Sequence, residues 1–283
     1  MADNRILNAL TIDVEDWFHA TNLEERISPE DWEGCEKRIV PNVFRILYLL
    51  AKFQTRATFF VLGWVAERLP DLILFIHDQG HEIASHGYAH CSIYNQSLED
   101  FYDDIKKSKE ILERITGQKI LGYRAPNYSI TSDTTWAWRC LRDLGFEYDS
   151  SIFPVKHDRY GYFAAPRFPF HIPINNDGDK IIEFPLSTVR ILGSNIPVAG
   201  GAYLRLFPYW FIKKGIKSIN SQGKPAIIYF HPWEIDPSQP RQKIKRLARI
   251  RHYGNLILAE SKLKRLLKDF HFGPVKEVLG IGE

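Results

Sequence analysis

Short apolar runs and stretches of helical periodicity alternate along most of the chain. Residues 7–14 (LNALTIDV) form an almost unbroken apolar run, the mark of a strand buried on both faces. Residues 41–52 place Val43, Ile46, Leu47 and Leu50 on one stripe behind Pro41, a residue suited to a helix's first turn. The β-branched and aromatic run 56–62 (RATFFVL) predicts a second strand, and 63–79 a helix interrupted near Pro70. A short strand is expected at 82–85. Ser97 to Asp100 resembles a capping box opening a helix over 97–116 that stops at Gly117. The same reading places strands at 120–123, 146–149, 181–185 and 226–230 (AIIYF). It places helices at 133–144, over most of 203–221, and at 259–270.

This alternation predicts an α/β fold on a parallel sheet, closed or doubly wound. A length of 283 residues suits a single α/β barrel, and 45% hydrophobic with 25% charged residues is the balance of a soluble globular protein. Residues 150–201 break the rhythm. They are rich in Pro, Gly and aromatics and read as long loops over one face, the kind that form functional rims. A helical extension is expected over 236–283. No repeat or linker divides the chain, so one domain spanning 1–283 is expected.

Candidate chemistry falls in four clusters, each just after a predicted strand: Asp13-Val14-Glu15-Asp16, Ser85-His86 to His90, Arg124-Ala125-Pro126, and His231-Pro232-Trp233-Glu234. In parallel α/β folds the C-terminal strand ends form the active face. His86 and His90, joined by a turn at Gly87, can aim two imidazoles at one ion, and a third ligand would be acidic and come from the first cluster. Asp13, Glu15 and Asp16 are too crowded to stay ionised together without a cation. One of them would be left free as a general base for a metal-activated water. Arg124 is the natural partner to orient that carboxylate. His231 could protonate a leaving amine, and Trp233 could wall the pocket or simply pack. His81-Glu82 resembles the start of a zinc-protease motif, but the next histidine is five residues on and Glu82 lies on an expected strand rather than a helix, so a structural role is expected.

In their order and spacing these motifs resemble the polysaccharide deacetylase family, also called the NodB-homology or carbohydrate esterase family four. The matching stretches are Thr11 to Asp16, Gly80 to His90, Arg124-Ala125-Pro126, and Ile227 to His231. Asp-Val-Glu-Asp-Trp-Phe and His-Pro-Trp-Glu are closer still to the subgroup found with exosortase-linked exopolysaccharide loci of Gram-negative bacteria. The resemblance implies a distorted, incomplete (β/α) barrel, a single divalent ion (usually Zn2+), and hydrolysis of N-acetyl groups on hexosamines. It implies that Asp13 is the base, that His86 and His90 are metal ligands, that Arg124 orients the base, and that His231 is the acid. Asn127, after Pro126, stands at the oxyanion position, and Asp149 resembles a residue that supports the neighbouring catalytic groups. The family pattern has adjacent aspartates, base then ligand. Here Val14 intervenes, so the acidic ligand is Glu15 or Asp16, with the shorter Asp16 favoured.

Bulk properties refine this picture. The formal charge is only +3 and no nucleic-acid motif is present, so no nucleic-acid partner is expected. Cys35, Cys91 and Cys140 are odd in number and far apart, which favours a reducing compartment over a disulfide framework. With no apolar leader and no membrane-spanning run, a cytoplasmic protein is expected. The expected partner is an N-acetylated polysaccharide or its lipid-linked precursor. The cations between Arg241 and Arg251 read either as a solvated helix face or as a peripheral contact with the membrane's inner face. The competing functions are hydrolysis of a ureide or formamide on the same scaffold, and a non-catalytic carbohydrate-binding relative.

Overall fold

The computed structural model describes residues 6–157, 160–175 and 178–282. Its strands, in chain order, begin with β1 (Leu7–Val14), β2 (Thr58–Val61), β3 (Glu82–Ser85), β4 (Gly122–Tyr123) and β5 (Tyr148–Asp149). They continue with β6 (Phe170–Pro173), β7 (Lys180–Glu183), β8 (Thr188–Ile191), β9 (Ser194–Pro197), β10 (Ile227–Phe230) and β11 (His271–Gly273). Nine of these form one sheet in the order β10-β1-β2-β3-β4-β5-β7-β6, with β11 beside the first half of β1. Every pairing in it is parallel except β6 with β7.

The helices between strands are α1 (Ile39–Lys52), α2 (Gly63–Arg68), α3 (Pro70–Asp78), α4 (Leu98–Thr116) and α5 (Ala137–Asp143). The second half adds α6 (Gly201–Leu206), α7 (Tyr209–Asn220), α8 (Arg246–Tyr253), α9 (Leu256–Asp269) and α10 (Val275–Leu279). Local chemistry sets their ends. Pro70 starts α3 and separates it from α2. At α4 the Ser97 hydroxyl accepts the Asp100 N–H at 3.1 Å, and Gly117 closes the helix in the left-handed conformation at φ 68°. Pro208 splits the helix expected over 203–221 into α6 and α7.

Strand parity decides what can become a site. On one face of the sheet Leu10, Ile12, Val14, Phe59, Val61 and Ile83 join the main core with the surrounding helices. On the other, Ala9, Phe60, Ala84, Tyr148 and Ile227 meet in a second cluster. Side chains alternate along a strand. Steps of two from this second face therefore reach Thr11 and Asp13, then His86, and finally His231. Arg124 continues the parity of Gly122. That glycine is required, because a Cβ there would lie 2.0 Å from the Tyr148 ring.

The segment 150–201 departs from expectation. Besides loops and β7, which meets the strand expected at 181–185, it contains β6 and an antiparallel β8–β9 hairpin. The hairpin turns through Leu192 (φ 48°) and Gly193 (φ 81°), positive at both central positions as a type I′ turn demands. Leucine is an unusual residue there, so the turn carried no sequence signal.

Candidate active site

The cleft lies at the C-terminal ends of β1, β3 and β10, with the turn after β4. Glu15 follows β1 by one residue and keeps the parity of Asp13. Its Oε1 lies 3.0 Å from His86 Nε2 and 3.0 Å from His90 Nε2. The three donor atoms lie within 4.8 Å of one another, a set able to hold a metal ion. The chemistry of this set fits a cation. His86 Nδ1 lies 2.7 Å from the Arg124 carbonyl oxygen, which can only accept, so Nδ1 carries the proton. In neutral His86, Nε2 then presents a bare lone pair to a carboxylate oxygen, an arrangement that a cation between them makes attractive. Burial opposes the Glu15 charge, but the surrounding imidazoles of His90, His231 and His86 hold its carboxyl well below the usual range.

Asp16 is not part of this set, which corrects the preference for it as ligand. It has the opposite parity to Asp13 and Glu15. Its Oδ1 accepts the Trp17 N–H at 2.8 Å, and its Oδ2 accepts the N–H groups of Arg38 and Ile39 at 2.7 and 3.0 Å. Asp16 therefore ties the turn after β1 to the start of α1.

Asp13 pairs with Arg124 at 2.6 Å, both fully buried. The same guanidinium donates to Thr11 Oγ1 at 2.7 Å and to the Ser150 carbonyl and hydroxyl at 3.1 and 2.9 Å, and it rests 4.1 Å over the Phe60 ring. With its donors occupied on the strand side, it fixes the carboxylate so that Oδ2 faces the cleft. His231 Nε2 stands 3.8 Å from that oxygen and 4.0 Å from Glu15 Oε1.

The cleft has a volume of about 310 Å³, and its walls include Tyr128, Tyr160, Tyr203, Tyr229 and Trp233. Trp233 both packs and lines: its ring stacks on His231 at 5.0 Å and on His252 at 4.5 Å. Pro126 opens the turn after Arg124 but is not a lining residue. Asn127 lines the cleft and contacts Thr21 and Ser92 through its side chain. Asn127 and Tyr128 both hold positive φ (60° and 52°), as does His90 (52°). Three strained non-glycine residues in one cleft are the pattern expected where geometry serves function.

Asp149 does not line the cleft; it bonds Ser151, whose hydroxyl accepts the Ala125 N–H beside Arg124 at 2.8 Å. It lies on the opposite parity to Tyr148, away from the cleft. Trp138 Nε1 donates to it at 2.8 Å, and Ser151 and Glu183 hold it from the other side. His231 is supported by Glu234, a residue to which sequence reasoning assigned no role. Glu234 in turn is held by Arg205 on α6, which was missed altogether. His81 accepts the Ala57 N–H and Glu82 bonds Thr58 and Tyr148, both at the start of β3 and away from the cleft.

Comparison with known proteins agrees with the motifs. Residues 35–148 match the family described as polysaccharide deacetylase. Over that stretch, less than half of the chain, it is similar to the polysaccharide deacetylases, a family of carbon–nitrogen hydrolases. Residues 150–280 match a domain of unknown function, DUF3473. His86, His90 and Arg124 fall in the first match, while Arg205, His231 and Glu234 fall in the second, so both segments furnish the cleft. The chain is 32% identical to a peptidoglycan deacetylase of Helicobacter pylori over 48% of its own length and 42% of that protein. It is 28% identical to the peptidoglycan-N-acetylmuramic acid deacetylase PdaA of Bacillus subtilis, over 50% and 52%. It thus spans about half the length of these curated relatives. The fold is shared with a Mycobacterium smegmatis protein assigned to the polysaccharide deacetylases (TM-score 0.60, 20% identity, 99% of this chain and 91% of that one). It is shared as well with Puue allantoinase (TM-score 0.65, 16% identity, 98% of this chain and 90% of that one).

Proposed function

We propose that this protein is a metal-dependent N-deacetylase that releases acetate from N-acetylhexosamine residues of a polysaccharide or its lipid-linked precursor. The observation that carries this reading is the facing of two sets across one cleft: Glu15, His86 and His90 on one side, the Asp13–Arg124 pair and His231 on the other. A divalent ion on Glu15, His86 and His90, with Zn2+ the expected one, would polarise the amide oxygen and acidify a water. Asp13, oriented by Arg124, takes the proton of the attacking water. The backbone N–H at Asn127 helps to hold the developing oxyanion. His231, anchored through Nδ1, delivers a proton from Nε2 to the departing sugar amine. The tyrosine and tryptophan walls suit the apolar faces of pyranose rings.

We further place the protein in exopolysaccharide biosynthesis, in the cytoplasm or at the inner face of the membrane, with residues 1–283 acting as one catalytic unit. The subgroup resemblance and the mixed origin of the cleft residues support these finer readings. Mass spectrometry of N-acetylglucosamine oligomers after incubation with metal-loaded protein tests the reaction class. Conversion of acetamido groups to free amines is expected. Intact oligomers alongside hydrolysis of a ureide or formamide would overturn it.

A further inference from the structure

The rim of the cleft has a character that its chemistry does not require. Helix α8 buries only Ala248 and His252. Leu247 and Ile250, three residues apart and therefore on one helix face, are 56% and 45% exposed, and both line the cleft mouth with Arg251 and Leu206. Leu206 packs beside Gly254 at the end of the helix, and Ile257, 78% exposed, follows at the start of α9.

Charge is segregated to the same edge. Six of the chain's 37 Lys and Arg residues (Arg241, Lys243, Lys245, Arg246, Arg249 and Arg251) and none of its 34 Asp and Glu lie between 237 and 259, so the rest of the chain is net acidic. Arg246 and Arg249 are exposed, and the described ion pair in this run is that of Lys245 with the exposed Glu25.

Aliphatic side chains interleaved with exposed cations match the headgroup boundary of an anionic bilayer, where apolar groups enter and cations stay at the phosphates. A nucleic acid would favour exposed rings for base stacking, whereas the exposed apolar residues of this edge are Leu and Ile. We propose that α8 and the start of α9 dock on the surface of an anionic membrane and hold the cleft mouth at headgroup level. The inference rests on the proposed function only in treating the cleft as the substrate site.

Vesicle flotation tests it, using full-length protein with phosphatidylcholine vesicles that contain or lack phosphatidylglycerol. Binding is expected only with phosphatidylglycerol and is weakened by salt. Arg246→Glu/Arg249→Glu and Leu247→Ser/Ile250→Ser should each weaken it by roughly tenfold or more, with unchanged circular dichroism confirming folding. Equal binding to both vesicle types would overturn the proposal. So would unaltered binding by both folded variants, or retention of an oligonucleotide with no vesicle binding. Glu15→Ala should still float. Vesicle binding by a wild type that deacetylates nothing would sink the proposed function and keep the docking edge, and deacetylation without vesicle binding would do the reverse.

Discussion

Glu234 grips His231 at two points: its Oε1 lies 2.7 Å from Nδ1 and accepts the His231 backbone N–H at 3.1 Å, while its Oε2 takes a 2.6 Å bond from Arg205 Nε. Arg205 is itself fixed by the carbonyls of Gly254 and Arg251 at 2.5 and 2.6 Å. The chain Arg205–Glu234–His231 leaves Nε2 as the imidazole atom facing the cleft. Burial lowers the His231 pKa, but Glu15, Glu234 and Asp13 overcome this and raise it from 6.5 to about 9. Glu234→Gln should therefore move the alkaline limb of the pH–rate profile toward acid and lower kcat roughly tenfold to a hundredfold, with little change in KM. An unmoved pH profile would reduce Glu234 to a packing residue.

The ligand assignment separates two neighbouring acids. Glu15→Ala should abolish stoichiometric metal binding, read by isothermal titration or metal analysis, and leave the melting temperature of chelated protein within a few degrees. Asp16→Ala should bind metal nearly as well but lose about 1–3 kcal/mol of stability, because three backbone N–H groups lose their acceptor. The opposite pattern would restore Asp16 as the ligand.

Asp13→Asn should keep the metal and lower kcat by roughly a hundredfold to ten-thousandfold. It should also cost about 3 kcal/mol in denaturant unfolding, since the buried Arg124 charge loses its counter-charge. Retained turnover would remove Asp13 as base.

Stability should peak near neutral pH in metal-free protein. Burial, with nearby cations, lowers His19 and His252 from 6.5 to about 3 and His81 to about 4. These side chains stay neutral when folded but take up protons near 6.5 when unfolded. Their stability is complete above about 6.5 and is lost as pH falls toward 4. His231 acts in the other direction: its contribution is complete below about 6.5 and is lost as pH rises through about 9. Urea midpoints across this range should trace both limbs, and His252→Gln should flatten the acid one. A midpoint constant from neutral pH down to about pH 4 would contradict the buried neutral state.

Much of this was legible before any coordinates. The buried strands announced themselves as apolar runs, and Gly117 and Pro70 marked helix boundaries where they occur. Asp13, His86, Arg124 and His231 were readable because Asp13 lies near the end of its strand and the other three directly follow theirs. What escaped notice depends on tertiary placement. Asp16 and Asp149 carry suitable chemistry but point to the other face, a difference of one residue along a strand. Arg205 comes from a helix far along the chain and is brought to Glu234 only by packing. The β8–β9 hairpin hides behind a leucine at a turn position.

The most direct measurement is acetate release from N-acetylglucosamine oligomers by metal-reconstituted protein, beside chelated protein and a His86→Ala/His90→Ala variant. Release by the metal-loaded wild type alone is the expected result. Equal release from the chelated protein or the double variant would contradict a reaction built on Glu15, His86 and His90, and no release by the loaded wild type would contradict deacetylation of this substrate class.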